Sequence, residues 1–268
     1  MRRTSFVCAA LMLAMSSAAS AATLRVCADS NNMPFSDSHG GGFENKIAEI
    51  VARDLHMDVA YAFAAQRETF VKKTLNAHKC DVMIGAPVGF DDVEETEPYY
   101  ASTYVFVSRK DAHIDVRSLS DPRLRKLRIG VHLIGGENQP PEIALGEEGI
   151  VGNVSGFMIN GDRGKPDPPA KLIEAVAHRR VDIAAAWGPL AGYYAMKSPV
   201  PLTVVPMTGT ERFAPLEFRF AIAMGVRKGD EALKNKLEGA IARQRGAILA
   251  VLRAYGVPLL DMHGGFNG

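Results

Sequence analysis

The chain has 268 residues, 47% of them hydrophobic, and a formal net charge of +1 at pH 7. That size suits one large domain or two lobes around an ordinary core. So nearly balanced a charge argues against a nucleic-acid partner and against a membrane-surface role.

Residues 1–21 read as a secretory signal peptide. Arg2 and Arg3 precede an apolar run from Phe6 to Met15, and Ala19-Ser20-Ala21 fits the small-residue cleavage pattern. The run is too short to span a bilayer, and Cys8 lies inside it, away from the cleavage site of a lipoprotein. Cleavage after Ala21 removes two arginines and no acid, so the mature chain turns slightly acidic. No later stretch reaches the length of a membrane span, so an exported protein without membrane insertion is expected.

Leu24 to Ala28 reads as a buried strand running into the polar turn Asp29-Ser30-Asn31-Asn32-Met33-Pro34-Phe35. Gly40 to Phe43 is a flexible lead into a helix with Ile47, Ile50, Val51 and Leu55 on one face. Val59–Phe63 is a second strand, Arg67–Ala77 a second helix, and Asp81–Gly85 a third strand. Strand and helix alternate, so a parallel sheet with crossover helices is predicted. A polar connector, Ser118–Leu127, leads to a second α/β set. It has strands at 128–131, 154–159, 181–187 and 202–205, and helices opening at Pro140, Pro168 and Leu190. A long helix over 230–255 closes the chain.

Two stretches echo each other across this second set. Thr103 to Asp111 and Ala221 to Asp230 both run apolar, and both pass through Arg-Lys to an Asp. Two such strands let a chain cross into a second lobe and return. The expected lobes are 22–107 with 218–268, and 108–217. A cleft between them, at the carboxyl ends of parallel strands, is where a ligand is expected.

The candidate ligand residues are Asp29, Asn31, Asn32 and Phe35 after the first strand, Arg67 at a helix start, Gly85 at the end of the third strand, and Trp187, the single tryptophan. Asp29 and its neighbours also suit a self-bonded turn. The cluster Asp91, Asp92, Glu94, Glu95 and Glu97 lacks the spacing of a calcium loop and reads as a solvated face. No histidine pair, phosphate loop, dinucleotide fingerprint or nucleophile elbow is present, so neither metal, cofactor nor catalysis is expected. The mature chain retains Cys27 and Cys80. An even count in an oxidising compartment favours a disulfide. Cys27 lies near the end of its strand and Cys80 before its own, an offset that strains the reach of a bond. A disulfide and two separate thiols both stay open.

Taken as a set, these features resemble the family 3 extracellular solute-binding proteins, the periplasmic receptors of ABC importers. The matching pieces are Asp29 with Pro34-Phe35, Gly42-Phe43-Glu44, Cys80-Asp81-Val82-Met83, Pro98-Tyr99-Tyr100, Leu127 to Val131, Val181 to Ala184, and Gly225 to Asp230. Val26 to Asp29, Asn31-Asn32, Phe43 to Ala48, Thr74 to Ala77, Trp187 to Tyr193 and Pro199 to Leu202 resemble the quinoprotein-dehydrogenase-associated, MoxJ- and XoxJ-like branch. The resemblance implies a two-lobed type II periplasmic-binding fold. It also implies a non-catalytic accessory of a PQQ-dependent methanol or alcohol dehydrogenase, acting in maturation, activation or small-molecule delivery. The wider family implies instead an importer receptor with an ABC permease as partner, and a dehydratase that shares the fold is a third reading. Amino-acid receptors carry Thr-x-x-Arg after the third strand to grip a carboxylate bidentately. Here that stretch is Gly89-Phe90-Asp91-Asp92-Val93, without the arginine and beside acids. Amino-acid binding is therefore not expected. Trp187, Tyr193 and Tyr194 are the expected partner-contact residues, since aromatic rings dominate many interfaces.

Overall fold

The computed structural model describes residues 22–134, 138–159 and 168–261. The predicted signal peptide lies outside the described residues. The first segment holds β1 (Ala22–Ala28), the two-residue strands β2 (Asn31–Asn32) and β3 (Ser36–Asp37), α1 (Phe43–Asp54), β4 (Met57–Phe63), α2 (Phe70–Lys73), β5 (Val82–Pro87) and β6 (Glu94–Glu95). Then come β7 (Tyr100–Arg109), β8 (Ile129–Leu133), α3 (Pro140–Glu147), β9 (Val154–Met158), α4 (Lys171–Ala177), β10 (Ile183–Trp187), α5 (Gly188–Met196) and β11 (Leu202–Pro206). The chain returns through β12 (Arg219–Val226) and ends on α6 (Glu231–Ala254).

The two echoing stretches form β7 and β12, and they pair with each other. Thr103 to Tyr100 run antiparallel to Arg219 to Ile222. Beyond that overlap each strand joins a different half. β12 pairs with β5 over Ile222–Val226, and β5 leads through β1 to β4, the last two pairings parallel. β7 pairs with β10 and β11 from Tyr104 onward, and β10 leads through β8 to β9 in parallel. Among the described residues the hydrogen-bonded order is therefore continuous, β4-β1-β5-β12-β7-β10-β8-β9. The two crossing strands are its seam.

Separate cores lie on either side of that seam. Phe43, Ile47 and Val51 of α1 close over Leu24, Val26, Ile84 and Met224, with Leu237, Ile241 and Ile248 of α6 behind. On the other side Phe106, Ile129, Val131, Leu145 and Ile183 form one cluster, and Val105, Val107, Leu172, Ile173 and Val176 another. β7 serves both clusters because alternate side chains of a strand point to opposite faces. Two lobes joined by two crossing strands, with helices packed on mixed sheets, make the type II periplasmic-binding fold.

Two local expectations change. The predicted helix over 67–77 shortens to α2, four residues long. The Thr74 hydroxyl donates to the Phe70 carbonyl at 2.6 Å and turns follow it, a local side-chain bond competing with helix continuation. The disulfide left open is formed: Cys27 and Cys80 are bonded, with Cα atoms 5.3 Å apart. Cys27 sits in register with Met83, yet the Asp81 amide donates to the Arg25 carbonyl at 2.7 Å and draws the chain before β5 against β1. Asp81 is fixed there by Arg25 and Arg227, at 2.5 and 2.9 Å.

Candidate functional site

A cavity of about 340 Å³ lies between the halves. Gly85 and Pro87 on β5 face it from one side, and Val131 and His132 on β8 with Ala185 and Trp187 on β10 from the other. Tyr100 and Tyr104 of β7 and Phe220 and Ile222 of β12 line it at the seam. The site thus sits where parallel strands end and the lobes meet, as the sequence predicts.

Aromatic rings dominate its wall. The Trp187 ring meets Tyr104 at 5.4 Å and Phe220 at 5.6 Å between centroids, both edge-on. Backbone register explains the first contact, since Trp187 is directly paired with Tyr104. Phe35 packs on Phe43 at 5.2 Å and borders the cavity from the turn after β1.

The polar groups are few. Glu44, in the first turn of α1, points its carboxylate across Gly85. A Cβ at Gly85 would come within 2.2 Å of Glu44 Oε1, so glycine there makes room for the acid. Burial pushes the Glu44 pKa up to about 7, because an apolar surround disfavours the charged form. No hydrogen bond or ion pair reaches this carboxylate among the described residues. His132 is 5% exposed; neither ring nitrogen makes a hydrogen bond of full geometry with a described residue, and the Pro169 backbone is the polar group beside it. Burial pushes its pKa down to about 4, so the ring is neutral at physiological pH. Asn32 Nδ2 donates to Gln66 Oε1 at 2.7 Å, and both side chains border the cavity. Among its described lining residues there is no lysine or arginine.

Four of the predicted ligand residues, Asn32, Phe35, Gly85 and Trp187, line this cavity. Asp29 does not; its Oδ1 accepts from the Asn31 amide at 3.0 Å and its Oδ2 from the Gln66 amide at 2.8 Å. It shapes the loops that border the cavity. Asn31 and Arg67 are exposed and outside the lining. Val93, at the place of the family's arginine, is buried against Met83 and Gly225 and does not reach the cavity. Glu94 pairs with Lys234 at 3.3 Å, and Glu95 accepts from the Phe90 amide at 2.6 Å, so part of the acidic run has structural work. Among the described residues no group of three potential ligands could hold a metal.

Tyr193 and Tyr194 are not presented outward. They are 7% and 8% exposed. Tyr193 stacks on Tyr255 at 5.6 Å and 13°, and the Tyr194 hydroxyl donates to the Met33 carbonyl at 3.0 Å. Both rings fasten α5 to segments of the other half. Gly192 permits this close approach, since a Cβ there would stand 1.9 Å from the Gly256 carbonyl oxygen.

Glu44, His132, Tyr100, Tyr104 and Phe220 were not among the predicted residues. Glu44 had a signal, an acid in the first turn of a helix entered through a glycine loop. His132 had none, because a single histidine on a buried strand matches no ligand pattern.

Two curated relatives, both called Protein MoxJ, match over most of their length. The one from Methylorubrum extorquens strain AM1 is 32% identical, covering 90% of this chain and 83% of its own. The one from Paracoccus denitrificans is 28% identical, covering 94% of each. The crystal structure of periplasmic binding protein XoxJ from Methylobacterium extorquens AM1 superposes with a TM-score of 0.73 at 38% identity, over 89% of this chain and 99% of that one. A family profile matches residues 24–248, and by that match the chain belongs to the bacterial extracellular solute-binding proteins, family 3.

Proposed function

We propose that this protein is a non-catalytic periplasmic accessory of a PQQ-dependent methanol or alcohol dehydrogenase. The observation that carries the reading is the near full-length likeness to two MoxJ proteins and to XoxJ. The apolar cleft supports it: with no lysine or arginine among the described lining residues, the bidentate grip of an amino-acid receptor has no donor there. No helix among the described residues is long and apolar enough to cross a membrane; export with cleavage near Ala21 is part of the proposal and rests on the sequence of residues 1–21. The lobes are assigned to 22–107 with 218–268 and to 108–217, supported by the separate clusters. Pairing of Tyr104 with Trp187 brings the second lobe's influence a few residues earlier on β7. The dehydrogenase contacts the cleft rim around Trp187, while Tyr193 and Tyr194 hold that rim in place.

Deletion of the gene tests the proposal. Expected are a loss of periplasmic alcohol dehydrogenase activity during growth on methanol and its return on complementation. Full activity in the deletion strain refutes the accessory role and returns the chain to solute import.

A further inference from the structure

The cleft holds a contradiction that a protein partner does not resolve. Its wall is mostly rings and aliphatic groups, yet Glu44 projects a carboxylate into it with no cation or hydrogen-bond donor on that group among the described residues. Gly85 leaves room for that acid, so the carboxylate occupies a place the fold keeps open. Its position in the first turn of α1 supplies a favourable helix field but no counterion.

We propose that the cleft binds a small organic ammonium ion, with its charge on the Glu44 carboxylate and its alkyl groups against Trp187, Tyr104 and Phe220. Electron-rich ring faces attract such cations, and more so where water is excluded. A cavity of about 340 Å³ is within the range of small-ligand sites. The other polar groups of the lining, Asn32, Gln66, Gln139 and neutral His132, can hydrogen-bond a hydroxyl or ammonium hydrogen without competing for the charge. A free carboxylate ligand would meet Glu44 and no cation among the described lining residues, so acids and zwitterions are disfavoured. This site is independent of the dehydrogenase association and can exist with or without it.

The groups that face Glu44 make its titration readable. Tyr99, just before β7, and Tyr100, its first residue, have phenols pushed well above their ordinary range by burial, and His132 on β8 is pushed down to about 4. Near neutrality Glu44 is therefore the titrating group of the described lining. Binding of a cation requires its charged form. Affinity should rise with pH by up to about tenfold per unit below pH 7 and level off above it.

The test titrates the mature protein with choline and with its neutral carbon isostere, 3,3-dimethylbutan-1-ol. Fluorescence of Trp187, the single tryptophan, and calorimetry both report binding. Choline should bind saturably at about pH 8, the isostere about tenfold or more weaker, and choline itself weaker at about pH 6. Glu44→Gln, which keeps the shape and removes the charge, should cost choline about tenfold or more in affinity and abolish the pH dependence. Equal binding of the isostere, undiminished binding by Glu44→Gln, a flat pH profile of the unaltered protein, or no saturable choline response at tens of millimolar each overturns the proposal. The pH profile needs no variant, so a folding defect cannot mask the answer.

Discussion

Replacing Glu44 by glutamine should stabilise the protein above neutral pH. The carboxyl pKa rises from 4.5 to about 7 on folding, with burial as its cause. Between those values the folded state binds a proton that the unfolded state has lost, so stability falls as pH rises. The penalty is complete above pH 7 and absent below pH 4.5. A shift of this size corresponds to about 3 kcal/mol at about 1.36 kcal/mol per unit. Two effects reduce what Gln recovers. The carboxylate is partly open to the cleft, where water screens it, and a charge in the first turn of α1 is worth about 0.3–1 kcal/mol that the amide forfeits. A net gain of about 2 kcal/mol remains, equivalent to roughly 4–8 °C in melting temperature for a chain of this size. Thermal melts of both proteins at about pH 8 and about pH 4 check it: the gain should be present at the first and vanish at the second. An unchanged or lower melting temperature for Glu44→Gln at pH 8 would refute the burial of an unpaired charge, and with it the electrostatic reading of the cleft.

His132 titrates in the opposite sense. Its pKa drops from 6.5 to about 4 on folding, so stability is lost as pH falls through that window, by up to about 3 kcal/mol. A His132→Phe variant should be less acid-sensitive than the natural protein in urea melts at about pH 5, and equal sensitivity would contradict it. Joint replacement of Cys27 and Cys80 by alanine opens a loop spanning 53 residues and should cost about 4 kcal/mol by chain entropy, read as a lower urea midpoint. Gly192→Ala forces a methyl onto the Gly256 carbonyl and should cost about 1–3 kcal/mol; an unchanged melt would mean that α5 shifts freely. Trp187→Ala removes two edge-on ring pairs, about 0.5–1.5 kcal/mol each. It should lower the melting temperature, so loss of dehydrogenase support in that variant is interpretable only beside Trp187→Phe.

The architecture was legible because its signals are local and repeated. Alternating strand and helix periodicity placed β1, α1, β5, α3, β10 and α6 close to where they form, and the echo of Thr103–Asp111 in Ala221–Asp230 marked the crossings. What the echo did not convey is that β7 and β12 pair with each other, because pairing partners are a matter of register and not of composition. Of the turn after β1, Asn32 and Phe35 line the cavity. Asp29 and Asn31 in the same turn took other tasks, since alternate residues of a tight turn point different ways. Tyr193 and Tyr194 carry the composition of an interface, but apolar rings bury themselves wherever a surface is offered, and Tyr255 and Met33 offer one within the chain.

The least legible feature is the one with most chemical consequence. A glutamate in the first turn of a helix is so common a stabilising device that its sequence position invites no further question. Only the fold sets Gly85 opposite it, turns the helix end toward a ring-lined cavity, and strips away part of the water that would otherwise make the charge inexpensive. A sequence under pressure for stability alone would place Gln there, or fill the space above Gly85 with a side chain. The acid instead faces open volume with its charge unpaired among the described groups, at a cost to folding that grows with pH. A cost of that kind persists where something outside the chain repays it in the bound state, and a cation in the cleft removes the penalty at its source. Ligand-induced stabilisation follows from the same linkage. Choline should raise the melting temperature of the natural protein at about pH 8 and raise that of Glu44→Gln far less at the same concentration, which joins the stability argument and the binding argument in one measurement.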